Sequence, residues 1–252
     1  MSTESVPARQ ARPRVTAAVL AGGVGTRMGG DRPKQLLSLA GRPIIEHSIA
    51  AFCSAPEVDD VIVLMVDDHL AEVEKIVAEG GYGKVSRILP GGATRTDTSC
   101  AALRALEGRP GEELVLLHDA VRPLVSGRTI ARCVAALGEA GAVGVAVPST
   151  DTVVEAELGP DGREVLRGVP PRASLRRMQT PQGFRLDVIR RAYERALADP
   201  GLVATDDCGV VLRYLPDEEI RLVQGEEANI KVTHPGDLAV AEALLRERGE
   251  PA

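Results

Sequence analysis

Residues 17–35 read AAVLAGGVGTRMGGDRPKQ: a short apolar run, then five glycines, with Arg27 and Lys34 set among and just after them. Glycine lets the backbone come close to a ligand, and converging backbone N–H groups form a cradle for phosphate oxygens. Arginine and lysine can then neutralise the charge of a polyphosphate. The chemistry open to such a loop is the binding or the cleavage of a phosphoanhydride. Two cations seven residues apart fit a pyrophosphate being cleaved better than one that is only bound.

Three phosphate-loop patterns compete for this stretch. A P-loop requires GxxxxGK[ST], which does not occur in the chain. A dinucleotide fingerprint requires GxGxxG, and Gly23-Val24-Gly25-Thr26-Arg27 is followed by Met28, so the third glycine is missing. The third pattern is the nucleotidyltransferase signature LAGGxGTRM…PKQ, which LAGGVGTRM at 20–28 and PKQ at 33–35 resemble. The plain alternative is a structural turn carrying surface cations.

The elements that must position this loop are legible as alternating patterns. Apolar runs at 15–20, 61–66, 114–118 and 143–147 read as buried strands. Helical patterns lie between them. One opens at Pro43 and carries Ile44, Ile45, Ile49 and Phe52; others cover 67–79, 95–107 and 126–139. Such alternation predicts a mostly parallel α/β sheet with helices on both faces. A ligand loop then belongs beyond the carboxyl end of the first strand.

Near residue 149 the pattern breaks. TVVEA and EVLRG flank the turn GPDG at 159–162 and read as a two-stranded arm over 149–173. An isolated hairpin is marginal in water, so the arm is expected to pack on a second subunit or to fold back on its own domain. Regular structure resumes at 184–197, where Leu186, Ile189, Tyr193 and Leu197 share one helical face. A strand pair at 220–225 and 228–233 and a helix at 235–248 are expected to follow.

A chain of 252 residues is long for one domain and short for two, which favours a single domain over 15–252 behind a disordered polar tail at 1–14. Apolar residues make up 44% but aromatics only 2%, so the core must be aliphatic. The net charge of −6 argues against general nucleic-acid binding. No apolar run is long enough to span a membrane, and no signal-peptide pattern opens the chain. Cys53, Cys100, Cys133 and Cys208 are far apart and read as buried free thiols of a cytoplasmic protein.

Downstream motifs narrow the chemistry. GGATRTDT (91–98), HDAVRP (118–123), DT (151–152), TPQGF (180–184), TDD (205–207) and NIKVT (229–233) follow in order. With the opening loop, this set resembles the cytidylyltransferases of methylerythritol 4-phosphate and ribitol 5-phosphate, from about Val15 to Leu245. The resemblance implies a Rossmann-like nucleotidyltransferase sandwich that joins CTP to a polyol phosphate and releases pyrophosphate. It implies that Ala21, Gly22, Gly23 and Gly25 line the CTP phosphates and base. Arg27, Lys34 and Lys231 would stabilise the transition state at the α-phosphorus. Gly92 and Thr98 would help read cytosine, where the family often has serine for Thr98 and an acidic residue for Ala93. Asp119 and Arg122 would lie near the substrates. Thr152 and Arg172 would hold the acceptor phosphate from the neighbouring subunit of a homodimer. Mg²⁺ would be held mainly by the CTP phosphates, with no dedicated protein ligands.

The attacking phosphate is already an anion, so catalysis should rest on positioning and charge neutralisation. Other residues have plainer expectations. His118 reads as a hydrogen-bonded sheet-end histidine, Asp206 and Asp207 as an N-cap and first-turn acid, and Arg176 and Arg177 as a solvated pair. Asp119 and Arg122 could also be a structural ion pair. LAGG at 20–23 and the absence of Trp lean toward ribitol 5-phosphate as acceptor. A sugar-1-phosphate nucleotidyltransferase using UTP or GTP, or a non-catalytic nucleotide-binding protein, remain the alternatives.

Overall fold

The computed structural model describes residues 12–23 and 32–249. In chain order the elements begin with β1 (Val15–Ala21), β2 (Ser38–Leu39), β3 (Arg42–Pro43), α1 (Ile44–Ser54), β4 (Asp60–Met65) and α2 (Leu70–Gly80). Next come β5 (Val85–Pro90), α3 (Arg95–Ala105), β6 (Leu114–Asp119), α4 (Gly127–Leu137) and β7 (Ala142–Pro148). The second half holds β8 (Glu155–Leu158), β9 (Glu164–Gly168), β10 (Arg176–Arg185), α5 (Leu186–Leu197), α6 (Asp207–Tyr214), β11 (Ile220–Gln224) and α7 (Pro235–Glu247).

Seven strands form one sheet in the order β11-β7-β10-β6-β1-β4-β5. It is parallel except for β10, which runs antiparallel to both β6 and β7. Alternation along β1 shows how both faces are covered. Val15, Ala17, Val19 and Ala21 pack with Ile45, Ile49 and Phe52 of α1 and Ile130 of α4. Ala18 and Leu20 face Ala102 and Leu103 of α3 and Ile189 of α5. A strand buried on both sides needs no polar face, which is why its sequence is a continuous apolar run. The chain's two phenylalanines are both fully buried, Phe52 in one layer and Phe184 in the other.

β1 lies between β4 and β6. The chain builds one way to β4 and β5, then crosses back to add β6 on the other side. A crevice opens at such a switch point, beyond the carboxyl ends of the strands. Here Leu20 stands opposite Asp119 and Ala21 opposite Met65, so the first glycine loop and the end of β6 face the same crevice.

Several expectations need correction. Segment 228–233 is not a strand; β11 is the last one and pairs only with β7. The backbone of 228–233 is committed elsewhere: Val232 N–H donates to Val121 O, and Asn229 O accepts from Arg122. Pro43 ends β3 and α1 starts one residue later. Leu197, at the end of α5, is exposed although its three helical partners are buried. β5 and β10 carry too few apolar positions to stand out as strands. In β10 the buried polar side chains Gln179, Thr180 and Gln182 hydrogen-bond inward, and Phe184 is its one fully buried large apolar residue.

The arm is a separate two-stranded sheet, β8 with β9, and its side chains are exposed rather than folded back on the domain. Its turn closes with Gly162 N–H on Gly159 O, and Gly162 takes a φ of +77° that favours glycine. Residues 1–11 of the expected tail lie outside the described residues, but Arg12 forks onto Asp59 at 2.6 and 2.8 Å. The four cysteines are free. Among the described residues no helix is long and apolar enough to cross a membrane.

Candidate active site

A cavity of about 200 Å³ opens at the switch point, lined among the described residues by four segments far apart in sequence. The end of β1 contributes Ala21, Gly22 and Gly23, and the turn after it Lys34 and Gln35. The start of α3 contributes Arg95 and Thr98, the end of β6 Asp119, and the irregular segment after β11 Lys231. Arg27 and Gly25 lie outside the described residues.

Lys34 sits in a single 3₁₀ turn, Lys34–Leu36, and is 9% exposed. Its Nζ donates to Val232 O at 3.2 Å, beside Lys231. Two lysines 197 residues apart therefore meet across one crevice. Gln35 was visible in the PKQ motif, but with no role attached. Its buried amide donates to Ala21 O and Gly23 O, pinning the start of the glycine loop at both sides of Gly22.

Gly22 marks a close approach of two backbones. A Cβ there would lie 2.3 Å from Thr98 Oγ1 and 3.0 Å from Gly92 O, and a Cβ on Gly91 would lie 2.7 Å from Gly22 Cα. The β1 loop and the loop between β5 and α3 thus touch directly, which requires glycine. Thr98 Oγ1 accepts from Gly92 N–H at 3.1 Å and donates to Thr94 O at 2.9 Å. Its hydrogen is committed to Thr94 O, and its oxygen holds the Gly92 turn by accepting that N–H.

Asp119 is the acidic centre of the site. Its carboxylate lies 2.7 Å from Lys231 Nζ, 3.0 Å from Arg95 Nε and 4.0 Å from Arg122 Nε. Burial works to raise its pKa, but Arg95, Lys231 and Arg122 outweigh burial and hold it well below the usual carboxylate range. The Asp119 N–H donates to Thr180 Oγ1, whose hydroxyl faces His118 Nδ1 at 3.0 Å, and His118 Nε2 faces Arg122 O at 3.2 Å. A carbonyl can only accept, so Nε2 carries the proton and Nδ1 accepts from Thr180. His118 is therefore a neutral, fully paired histidine, as expected from sequence. Burial pushes its pKa down to about 3.

Arg122 does not line the cavity. Its guanidinium donates to Asn229 O at 2.8 Å and Met178 O at 3.2 Å, bracing the segment that carries Lys231. It stays next to the cavity through Asp119, 4.0 Å from its Nε. Thr152 and Arg172 lie on the exposed arm, away from this chain's cavity, with Arg172 donating to Thr150 O. Arg176 and Arg177 are exposed, and Arg177 pairs with Glu227. Asp206 caps α6 through Gly209 N–H at 2.7 Å, as expected.

Arg95 is the site residue that sequence reasoning missed. Its Nε meets Asp119 and its Nη1 lies 2.7 Å from Asp207, while Nη2 is buried with no hydrogen-bond partner among the described residues. A signal was present. Thr94 and Asp97 form a capping box, which puts Arg95 in the first turn of α3. A cation there opposes the helix dipole and needs carboxylates to hold it.

Residues 15–247 match the family described as IspD, 2-C-methyl-D-erythritol 4-phosphate cytidylyltransferase. The 2-C-methyl-D-erythritol 4-phosphate cytidylyltransferase of Thermobifida fusca is 70% identical over 235 residues, 93% of this chain and 94% of that one. A bifunctional ribulose 5-phosphate reductase/CDP-ribitol pyrophosphorylase of Haemophilus influenzae is 39% identical over 91% of this chain but 48% of its own length. The crystal structure of 4-diphosphocytidyl-2C-methyl-D-erythritol synthase from Anaerococcus prevotii aligns with a TM-score of 0.78 at 29% identity, covering 93% of this chain and 99% of that one.

Proposed function

Since the chain belongs to the 2-C-methyl-D-erythritol 4-phosphate cytidylyltransferase family, and is thus a nucleotidyltransferase, we propose that it transfers CMP from CTP to 2-C-methyl-D-erythritol 4-phosphate. The observation that carries this reading is the meeting of Lys34 and Lys231 at the β1–β6 switch point, beside the glycine loop.

The acceptor phosphate attacks the α-phosphorus of CTP, the bond to the β-phosphate oxygen breaks, and pyrophosphate leaves with the electron pair. Lys34 and Lys231 stabilise the charge that builds on the phosphoryl oxygens, with Arg27 added from the glycine loop. Arg95, Lys231 and Asp119 form a pre-set charge network, so little reorganisation accompanies the reaction. Gly22, Gly23 and Gly92 offer backbone groups to the nucleotide. Mg²⁺ suits this donor set as an ion that arrives with the triphosphate: Asp119 is the one carboxylate lining the cavity among the described residues. When bound, it would neutralise phosphate oxygens.

The lean toward ribitol 5-phosphate is not supported by the 70% identical relative. It rested partly on Gly22, and that glycine is explained by its contact with Thr98 and Gly92, on the proposed nucleotide side. The acceptor is held, in this reading, by Thr152 and Arg172 from the arm of a second copy. Val154, Leu158, Leu166 and Val169 stand exposed on or beside that hairpin, which supports pairing through it.

The test is an assay of the purified protein with CTP and Mg²⁺, offering each acceptor in turn and detecting pyrophosphate. Faster turnover with 2-C-methyl-D-erythritol 4-phosphate is expected. Equal or faster turnover with ribitol 5-phosphate overturns the acceptor, and turnover with UTP but not CTP overturns the nucleotide.

A further inference from the structure

Asp207 is a carboxylate with no solvent exposure, at the first residue of α6. It does not cap the helix, since Asp206 does that. Gln182 Oε1 fixes its backbone by accepting the N–H groups of Asp207 and Cys208 at 3.0 and 2.9 Å. Its side chain has two partners: Oδ1 accepts from the Tyr193 hydroxyl at 2.7 Å, and Oδ2 lies 2.7 Å from Arg95 Nη1. Arg95 Nε continues the line to Asp119 Oδ1 at 3.0 Å. One unbroken chain of polar contacts therefore runs from α5 through α6 and α3 to the end of β6.

This chain is costly to bury. A buried ion pair is weak grounds for stability, because well-packed apolar residues often do as well or better. Tyr193 does not line the active-site cavity and is buried among the apolar residues of the α3–α5 layer. What it adds there beyond a phenylalanine is a hydroxyl aimed at Asp207. Arg95 needs that support, since it sits at the unfavourable end of α3 and Asp119 is shared with Lys231 and Arg122.

We propose that Tyr193 is a positioning residue for the transfer reaction: its hydroxyl orients Asp207, Asp207 holds Arg95, and Arg95 holds Asp119 at the cavity. The proposal rests on the reaction assigned above. Without the hydroxyl, Asp207 Oδ1 becomes a buried acceptor with no donor, the carboxylate turns toward Arg95, and Arg95 is drawn off Asp119.

Tyr193→Phe tests this, because it removes one oxygen and keeps the ring. The variant is expected to lose about tenfold in kcat/KM for CTP, the size of one hydrogen bond to a charged group, with the acceptor KM unchanged. In an Arg95→Lys or Asp207→Asn background the same change is expected to cost less than about twofold, because the effect passes through those residues. An equal loss in those backgrounds, or a Tyr193→Phe enzyme within about twofold of wild type, overturns the proposal. If Asp207→Asn does not fold, Arg95→Lys completes the cycle. The Arg95 Nε–H signal in ¹⁵N NMR gives a readout that needs no turnover, and it is expected to shift in Tyr193→Phe. An unmoved signal overturns the proposal by itself. A wild-type protein inactive with CTP would instead refute the assigned reaction, and the NMR comparison would still decide whether Tyr193 holds Arg95.

Discussion

Lys34 and Lys231 reach the crevice from opposite ends of the chain, and in the proposed reaction each stabilises charge that develops there. Removing one donor of this kind typically costs about 3 kcal/mol in the transition state. Lys34→Ala should therefore lower kcat by about 10²- to 10³-fold, with a melting temperature within about 4 °C of wild type. Steady-state kinetics and calorimetry on the same preparation check both halves. His118 carries a different prediction. Its pKa is about 3 when folded against 6.5 in the free side chain, because burial disfavours the cation. Below pH 6.5 the unfolded chain binds a proton here that the folded chain does not. Stability conferred by the neutral ring is thus full above that pH and is lost on acidification toward pH 3, by up to about 1.4 kcal/mol per unit. Urea midpoints of wild type and His118→Asn across this range should show the steeper decline in wild type only.

At the scale of elements, the site is a seam between two loops. The β1 loop and the β5–α3 loop touch through Gly22, Gly91 and Gly92, and Gln35 clamps one side of the seam. Gly22→Ala should force Thr98 Oγ1 and the Gly92 turn apart and raise the KM for CTP about tenfold, the effect of roughly one lost hydrogen bond. Adding Thr98→Ser removes the β-branch and frees the hydroxyl to turn away, so the double variant should recover part of the loss. Titration of CTP into the three proteins measures this directly. The helix starts matter equally. The capping box of α3 presents Arg95, and the Asp206 cap of α6 leaves the Asp207 carboxylate available to meet it.

For the whole molecule the arm is an element that stands outside the main sheet. A two-stranded sheet standing apart with Leu158 and Leu166 exposed is marginal alone and gains most from a second copy. Leu158→Asp with Leu166→Asp should shift the protein to monomers in sedimentation experiments and raise the acceptor KM, with little change in the KM for CTP. If the proposed pairing through the arm holds, Arg172→Ala should raise the acceptor KM while leaving the oligomeric state unchanged. A dimer that survives the double aspartate variant would remove the arm from the interface.

The sequence by itself determined most of the parallel strands, the glycine loop after the first of them and the family. Buried parallel strands need unbroken apolar runs, and a backbone cradle needs glycine, so both leave local marks. Lys34, Asp119 and Lys231 were legible because they sit in short motifs. Arg95, Tyr193 and the clamp made by Gln35 were not, since their roles come from partners 24, 14 and 12 residues or more away that only folding brings together. Strand β10 hid for the same reason: three of its buried side chains, Gln179, Thr180 and Gln182, are polar and make sense only beside the groups they bond. Tertiary structure also supplied contacts that spacing could not show: Arg122 on the carbonyl of Asn229, and Gly22 against Thr98 and Gly92. Type and spacing say what a residue can do; distance and burial decide which partner it has left to do it with.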